Sequence, residues 1–132
     1  MKPVPKFADE LRIYLAAEKM ENEEVLETLI ENREEEEAML LTSKQKVTDL
    51  FIGYMLPAEK AAKSAKLGPK GFIETLIKLI EKYPQDWKNL IDKYEVDGVS
   101  KHTPRLNAMI DRFEEISTIL REMAKKEETE NE

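Results

Sequence analysis

The chain contains no cysteine, which excludes disulfide bonds, thiolate zinc sites and a cysteine nucleophile. Its one histidine, His102, has no cysteine or second histidine with which to complete a metal site or a catalytic pair. Nucleotide-binding loops, Ser-His-Asp arrangements and glycine-rich dinucleotide fingerprints are also missing. The sequence therefore predicts a protein that is not an enzyme and that holds no metal and no cofactor.

Long hydrophobic segments are missing as well. The longest apolar run, LFIGYML, is about seven residues, whereas a helix that crosses a bilayer needs roughly 20. The start of the chain, MKPVPKFADE, lacks the apolar region of a signal peptide. We expect a cytoplasmic protein with no membrane partner, and the abundance of Glu and Lys beside two Gln fits a thermophilic source.

Glycine, proline and aromatic residues are few, while 41% of the 132 residues are hydrophobic and 37% are charged. This composition is typical of a helical protein with a core of its own. We expect an all-α fold, an irregular, orthogonal bundle of about six helices, several of them short and interrupted by proline or glycine. The helical domain is predicted to span residues 1–123, and residues 124–132 are predicted to form a disordered charged tail.

The expected helix boundaries follow from capping residues and prolines. Asn22 and Thr42 each precede a segment of helical periodicity and are predicted to begin new helices. Pro57 is predicted to end one helix and begin another, and Gly68 followed by Pro69 predicts a further stop and restart.

Charge is distributed unevenly along the chain, whose net charge is −7. Residues 21–41 carry nine Glu and one Arg, a local balance of −8, whereas residues 42–70 carry six Lys against Asp49 and Glu59. The four consecutive glutamates at residues 34–37 indicate either a solvated helical surface or a set of ion-pairing partners for the lysines of residues 60–70. An acidic protein repels phosphate backbones, which counts against nucleic acid as the default partner.

Nucleic-acid binding remains the alternative hypothesis, because two segments carry suitable residues. Residues 87–112 have the outline of a helix-turn-helix, although about eight residues replace the usual short turn and the second helix has a broad apolar face. The alternative interpretation of this segment is a surface loop followed by a core helix. The candidate anion or nucleic-acid contacts are Lys60, Lys63, Lys66, Lys70, Lys101 and Arg105.

The last helix has a broader apolar surface than a single-sided helix needs, which indicates a central position or contact with a second chain. The candidate self-association residues are Met109, Phe113, Ile116, Leu120 and Met123. The favoured hypothesis is a non-catalytic protein–protein interaction or assembly module, and a homodimer is one form that it could take.

Overall fold

A computed structural model describes residues 2–95 and 102–129, and these residues form helices and connecting turns without a strand. The helices are α1 (Val4–Glu31), α2 (Glu35–Ser64), α3 (Pro69–Ile80), α4 (Lys82–Glu95) and α5 (Thr103–Thr129). Only Glu81 separates α3 from α4, so the two form one interrupted unit and the described chain has four helical units. The all-α class is confirmed, and the expected number of about six helices is wrong.

The number is lower because two of the expected starts lie inside long helices. Asn22 is half-buried within α1, and Thr42 lies within α2, where its hydroxyl donates to the Ala38 carbonyl over 2.8 Å. A threonine that bonds back to the preceding turn satisfies its own side chain and does not cap a new helix. Packing between α1 and α2 therefore overrides these local start signals.

The expected break at Pro57 does not occur either, since α2 continues through it to Ser64. A proline inside a helix cannot donate to the carbonyl four residues earlier, and its ring crowds that carbonyl. Here that residue is Gly53, which is exposed and has no neighbouring heavy atom within 4 Å of the place where a Cβ would lie. Water can reach the freed carbonyl, which limits what the proline costs.

The C-termini of α1 and α2 have the same capping geometry. Arg33 and Lys66 have φ angles of 59° and 56°, in the left-handed region, and each follows the residue that caps its helix. The next amide then donates to the carbonyl five residues back, Glu34 to Leu29 and Leu67 to Ala62, both over 2.9 Å. The predicted restart at Pro69 is confirmed, but the chain reverses at Lys66, before Gly68.

The core draws side chains from all five helices. Two aromatic contacts tie it together, Phe7 to Phe72 with ring centres 6.3 Å apart and Phe51 to Phe113 with ring centres 5.3 Å apart. Helix α5 packs against α2, α3 and α4. Its broad apolar surface is therefore explained by its central position within one chain.

The expected disordered tail is wrong for residues 124–129, which continue α5. Ala124 is buried in the core, and the Glu127 carboxylate accepts a hydrogen bond from Lys2 Nζ over 2.8 Å. Residues 130–132 lie outside the described part of the chain. None of the described helices is both long enough and apolar enough to cross a membrane.

Candidate interaction surface

The most distinctive surface is the end of the α1–α2 hairpin, residues 20–41, which we call the acidic hairpin end. No residue of α1 beyond Leu15 is buried, so this half of the helix lies at the periphery of the molecule. All nine glutamates of the acidic hairpin end are exposed. Within the described residues, none of them takes part in an ion pair, so their carboxylates face solvent.

Apolar side chains lie among these charges. Met20, Val25 and Ile30 are 67%, 49% and 61% exposed, respectively. On the helix, Val25 and Ile30 lie on opposite flanks of a half-buried stripe formed by Leu26 and Leu29. The acidic hairpin end thus presents apolar side chains to solvent within a field of negative charge.

The basic residues lie at the opposite end of α2. We call Lys60, Lys63, Lys66 and Lys70 the basic end, and all four side chains are exposed. Helix α2 has 30 residues, so a rise of 1.5 Å per residue places its two ends about 44 Å apart. The hypothesis that the Glu run at 34–37 pairs with these lysines inside one chain is therefore wrong, whereas the hypothesis of a solvated surface agrees with the structure.

A shallow depression of about 220 Å³ borders the basic end, between the start of α3 and the end of α5. Lys70 and Lys125 lie at its edge, and Ile73 and Ala124 supply apolar lining. Arg121 donates two hydrogen bonds to Glu74 across it, over 2.7 and 3.2 Å, and this bonding lowers the pKa of the Glu74 carboxyl. The fold thus brings Lys125, which the sequence did not single out, beside the predicted Lys70.

The proposed self-association residues of α5 do not form an open surface in this structure. Phe113, Ile116 and Leu120 are buried in the core, and Met109 and Met123 are half-buried against it. A second chain could reach these residues only if α5 moved away from its neighbours.

Sequence reasoning missed Arg112, the most buried charged side chain of α5. It donates hydrogen bonds to Glu18 on α1 and to Glu115 on its own helix, and its side chain is only 6% exposed. Burial, with the adjacent Glu18 carboxylate as a further cause, raises the pKa of Tyr14 beside this cluster. Arg112 lies three residues after Met109 and four before Ile116, and a charge at that spacing in an apolar stripe was the signal that could have found it.

A shallow groove of about 180 Å³ lies beside Arg112 where α1, α2 and α5 meet. Glu18, Arg112 and Glu115 line it together with Asn22, Leu41 and Lys44. Arg112 binds both carboxylates, and its ion pair with Glu18 joins α5 to α1. Its arrangement explains how the hairpin is held against α5.

The helix-turn-helix hypothesis falls partly outside the described residues, because Lys101 and most of the loop before α5 are not described. The ring of His102 packs beside that of Tyr94, with centres 5.3 Å apart. Arg105 is half-buried on α5, and its Nε is buried without a hydrogen-bond partner.

Across residues 2–95 and 102–129, no group of three or more His, Asp or Glu side chains is arranged to hold a metal ion. Comparison with protein-family models, with curated proteins and with solved structures found no match.

Proposed function

We propose that this chain is a non-catalytic protein–protein interaction module, located in the cytoplasm, whose docking surface is the acidic hairpin end. The observation that carries the proposal is the exposure of Met20, Val25 and Ile30 among nine glutamates that make no ion pair in the described structure. Apolar side chains at an interface centre supply affinity, and charges around them select the partner and speed its approach. The complementary partner presents a basic surface with apolar side chains.

The local geometry suits recognition by a helix or by the end of another helical protein. The half-buried Leu26 and Leu29 leave apolar surface that α2 alone does not cover. A partner that adds a further helix to this pair would bury that surface, as amphipathic helices do when they bind apolar grooves. Its lysines and arginines would then meet the surrounding glutamates.

A matched pair of α1 variants tests this surface. Ile30 is 61% exposed within the acidic hairpin end, and Ile13 is 70% exposed outside it. Tagged wild-type protein, Ile30→Glu and Ile13→Glu are each used to capture proteins from nuclease-treated lysate of the cells that make the protein. The proposal expects partners that Ile30→Glu loses and that Ile13→Glu keeps. Identical partners for all three proteins would place the docking surface elsewhere.

Nucleic-acid binding is the second candidate, and the position of Lys125 beside Lys70 favours the basic end as its site. Binding to phosphate backbones should weaken steeply with salt, because counterions are released on association. Replacing Lys60, Lys63, Lys66 and Lys70 with Glu should abolish it. The readout is fluorescence anisotropy of labelled DNA and RNA. Absence of binding by the wild-type protein would exclude this function, and binding that survives both these substitutions and Arg105→Glu would exclude these residues as its site.

A further inference from the structure

The two ends of α2 carry charges of opposite sign, and no intramolecular contact can bring them together. The acidic hairpin end has a balance of −8, and about 35 Å of α2 separate Glu37 from Lys60, the first lysine of the basic end. We propose that the acidic hairpin end of one copy binds the basic end of a second copy, so that the protein assembles head to tail. This inference depends on the proposed function and names the partner.

The basic end has the apolar side chains that such a contact needs. Leu56 is 50% exposed and Leu67 is 40% exposed. Leu56, Lys60 and Lys63 follow one another at spacings of four and three residues, which places them on one face of α2. This face combines positive charge with an apolar side chain, and it complements the glutamates and the exposed Val25 and Ile30 of the other end.

The net charge of the chain restricts how two copies can meet. At −7, copies repel one another in most orientations, and attraction is confined to contacts that bring opposite ends together. After pairing, one copy retains an unused basic end and the other an unused acidic end. Because the two contacting surfaces differ, the contact is heterologous, and it propagates as an open chain unless its rotation closes a ring.

Charge-exchange variants test the inference. The first replaces the exposed Glu24, Glu27 and Glu31 with Lys, and these positions share one face of α1. The second replaces Lys60, Lys63 and Lys70 with Glu, and a third chain carries both sets. The third chain keeps the wild-type net charge of −7, because three Glu→Lys changes add 6 and three Lys→Glu changes remove 6. A control replaces the exposed Lys78, Lys88 and Lys93 with Glu.

Sedimentation velocity measures the mass distribution of each protein as concentration and salt vary. Wild-type protein should associate at about 20 mM salt, and its association constant should fall at least ~10-fold at about 300 mM salt, where the Debye length is several times shorter. The first and second variants should each remain monomeric. Their equimolar mixture should associate, because it still offers one unaltered end of each sign. The third chain should remain monomeric at the wild-type net charge, because both of its ends then carry a balance of −2. The control should keep at least about half of the wild-type association constant.

Three outcomes would overturn the inference. Wild-type protein that stays monomeric up to about 1 mM at low salt has no self-association of useful strength. Association that persists in both single-set variants, or that the control loses equally, would place the contact elsewhere. If self-association is absent while the Ile30→Glu variant still loses a captured partner, the acidic hairpin end binds a foreign basic protein and the proposed function stands without this inference. If wild-type protein does not self-associate and Ile30→Glu loses no captured partner, both this inference and the proposed function are wrong.

Discussion

Arg112 on α5 donates a hydrogen bond to Glu18 on α1, although 94 residues separate them in the chain. Helices α1 and α5 otherwise make little contact, since each packs mainly against α2. This ion pair therefore links the peripheral half of the hairpin directly to the central helix. The guanidinium is almost fully buried and the carboxylate is 25% exposed, so solvent screens the pair only in part.

The two carboxylates that Arg112 binds should differ in their effect on stability. Glu18→Ala should lower the free energy of unfolding by about 2 kcal/mol, because it removes a charged hydrogen-bond acceptor from a buried donor. Glu115→Ala should lower it by less than about 1 kcal/mol, because the Glu115 side chain is 58% exposed and its ion pair lies on the surface. Urea unfolding at neutral pH measures both, and equal losses would show that burial does not distinguish the two partners.

The site of this ion pair illustrates what the sequence could and could not predict. Apolar periodicity predicted the helical class, and Pro69 begins a helix as expected. Periodicity could have placed Arg112 beside Met109 and Ile116 on one stripe, but it cannot say which residue of a distant helix faces that stripe. The partner Glu18 is one of 28 acidic residues, and only the packing of α1 against α2 selects it.

The distance between the acidic and basic segments depends on whether the helix breaks at Pro57. The separation of acidic and basic segments was visible in the sequence, but their distance was not. A break at Pro57 would allow the lysine segment to fold back toward the Glu run, whereas a continuous α2 holds Glu37 and Lys60 about 35 Å apart. Proline propensity favoured the break, whereas the exposure of Gly53, whose carbonyl water can reach, lowers the cost of a continuous helix.

Replacing Pro57 with Ala should stabilise the protein. The substitution restores an amide donor to the Gly53 carbonyl and removes crowding by the ring, and we expect the free energy of unfolding to rise by about 1–3 kcal/mol. Pro5→Ala is the matched control, because Pro5 lies in the first turn of α1, where a proline costs little. Urea unfolding compares them, and a loss of stability in Pro57→Ala would mean that α2 requires the geometry that proline imposes.

Replacing Arg33 with Gly should also stabilise the protein, by about 0.5–1 kcal/mol, because its φ of 59° is costly for a residue with a Cβ and not for glycine. Arg33→Ala removes the same charge and keeps the Cβ, so it separates the backbone effect from electrostatics. We expect only the glycine variant to gain stability, as measured by thermal unfolding. An equal gain in both variants would attribute the effect to the lost charge.

The ion pair between Glu74 and Arg121 should make stability depend on acid pH. The pKa of Glu74 is lowered mainly by the hydrogen bond from Arg121, so the folded state binds a proton at this carboxylate less readily than the unfolded state does. Its contribution is therefore present above the ordinary carboxyl pKa and is lost as the pH falls through the lowered value. Both side chains are about half exposed, so the contribution should not exceed about 1 kcal/mol.

Arg121→Gln isolates this contribution. The difference in the free energy of unfolding between wild type and Arg121→Gln should be largest near neutral pH and should shrink as the pH is lowered below the pKa of Glu74, where the carboxylate is protonated in both proteins. Added salt should reduce the difference at neutral pH because the pair is exposed. Lys78→Gln, an exposed site on the same helix α3 as Glu74, controls for the loss of a positive charge. A difference that stayed constant from neutral to acid pH would show that Arg121 acts through its packing against α3 and not through the charge of Glu74.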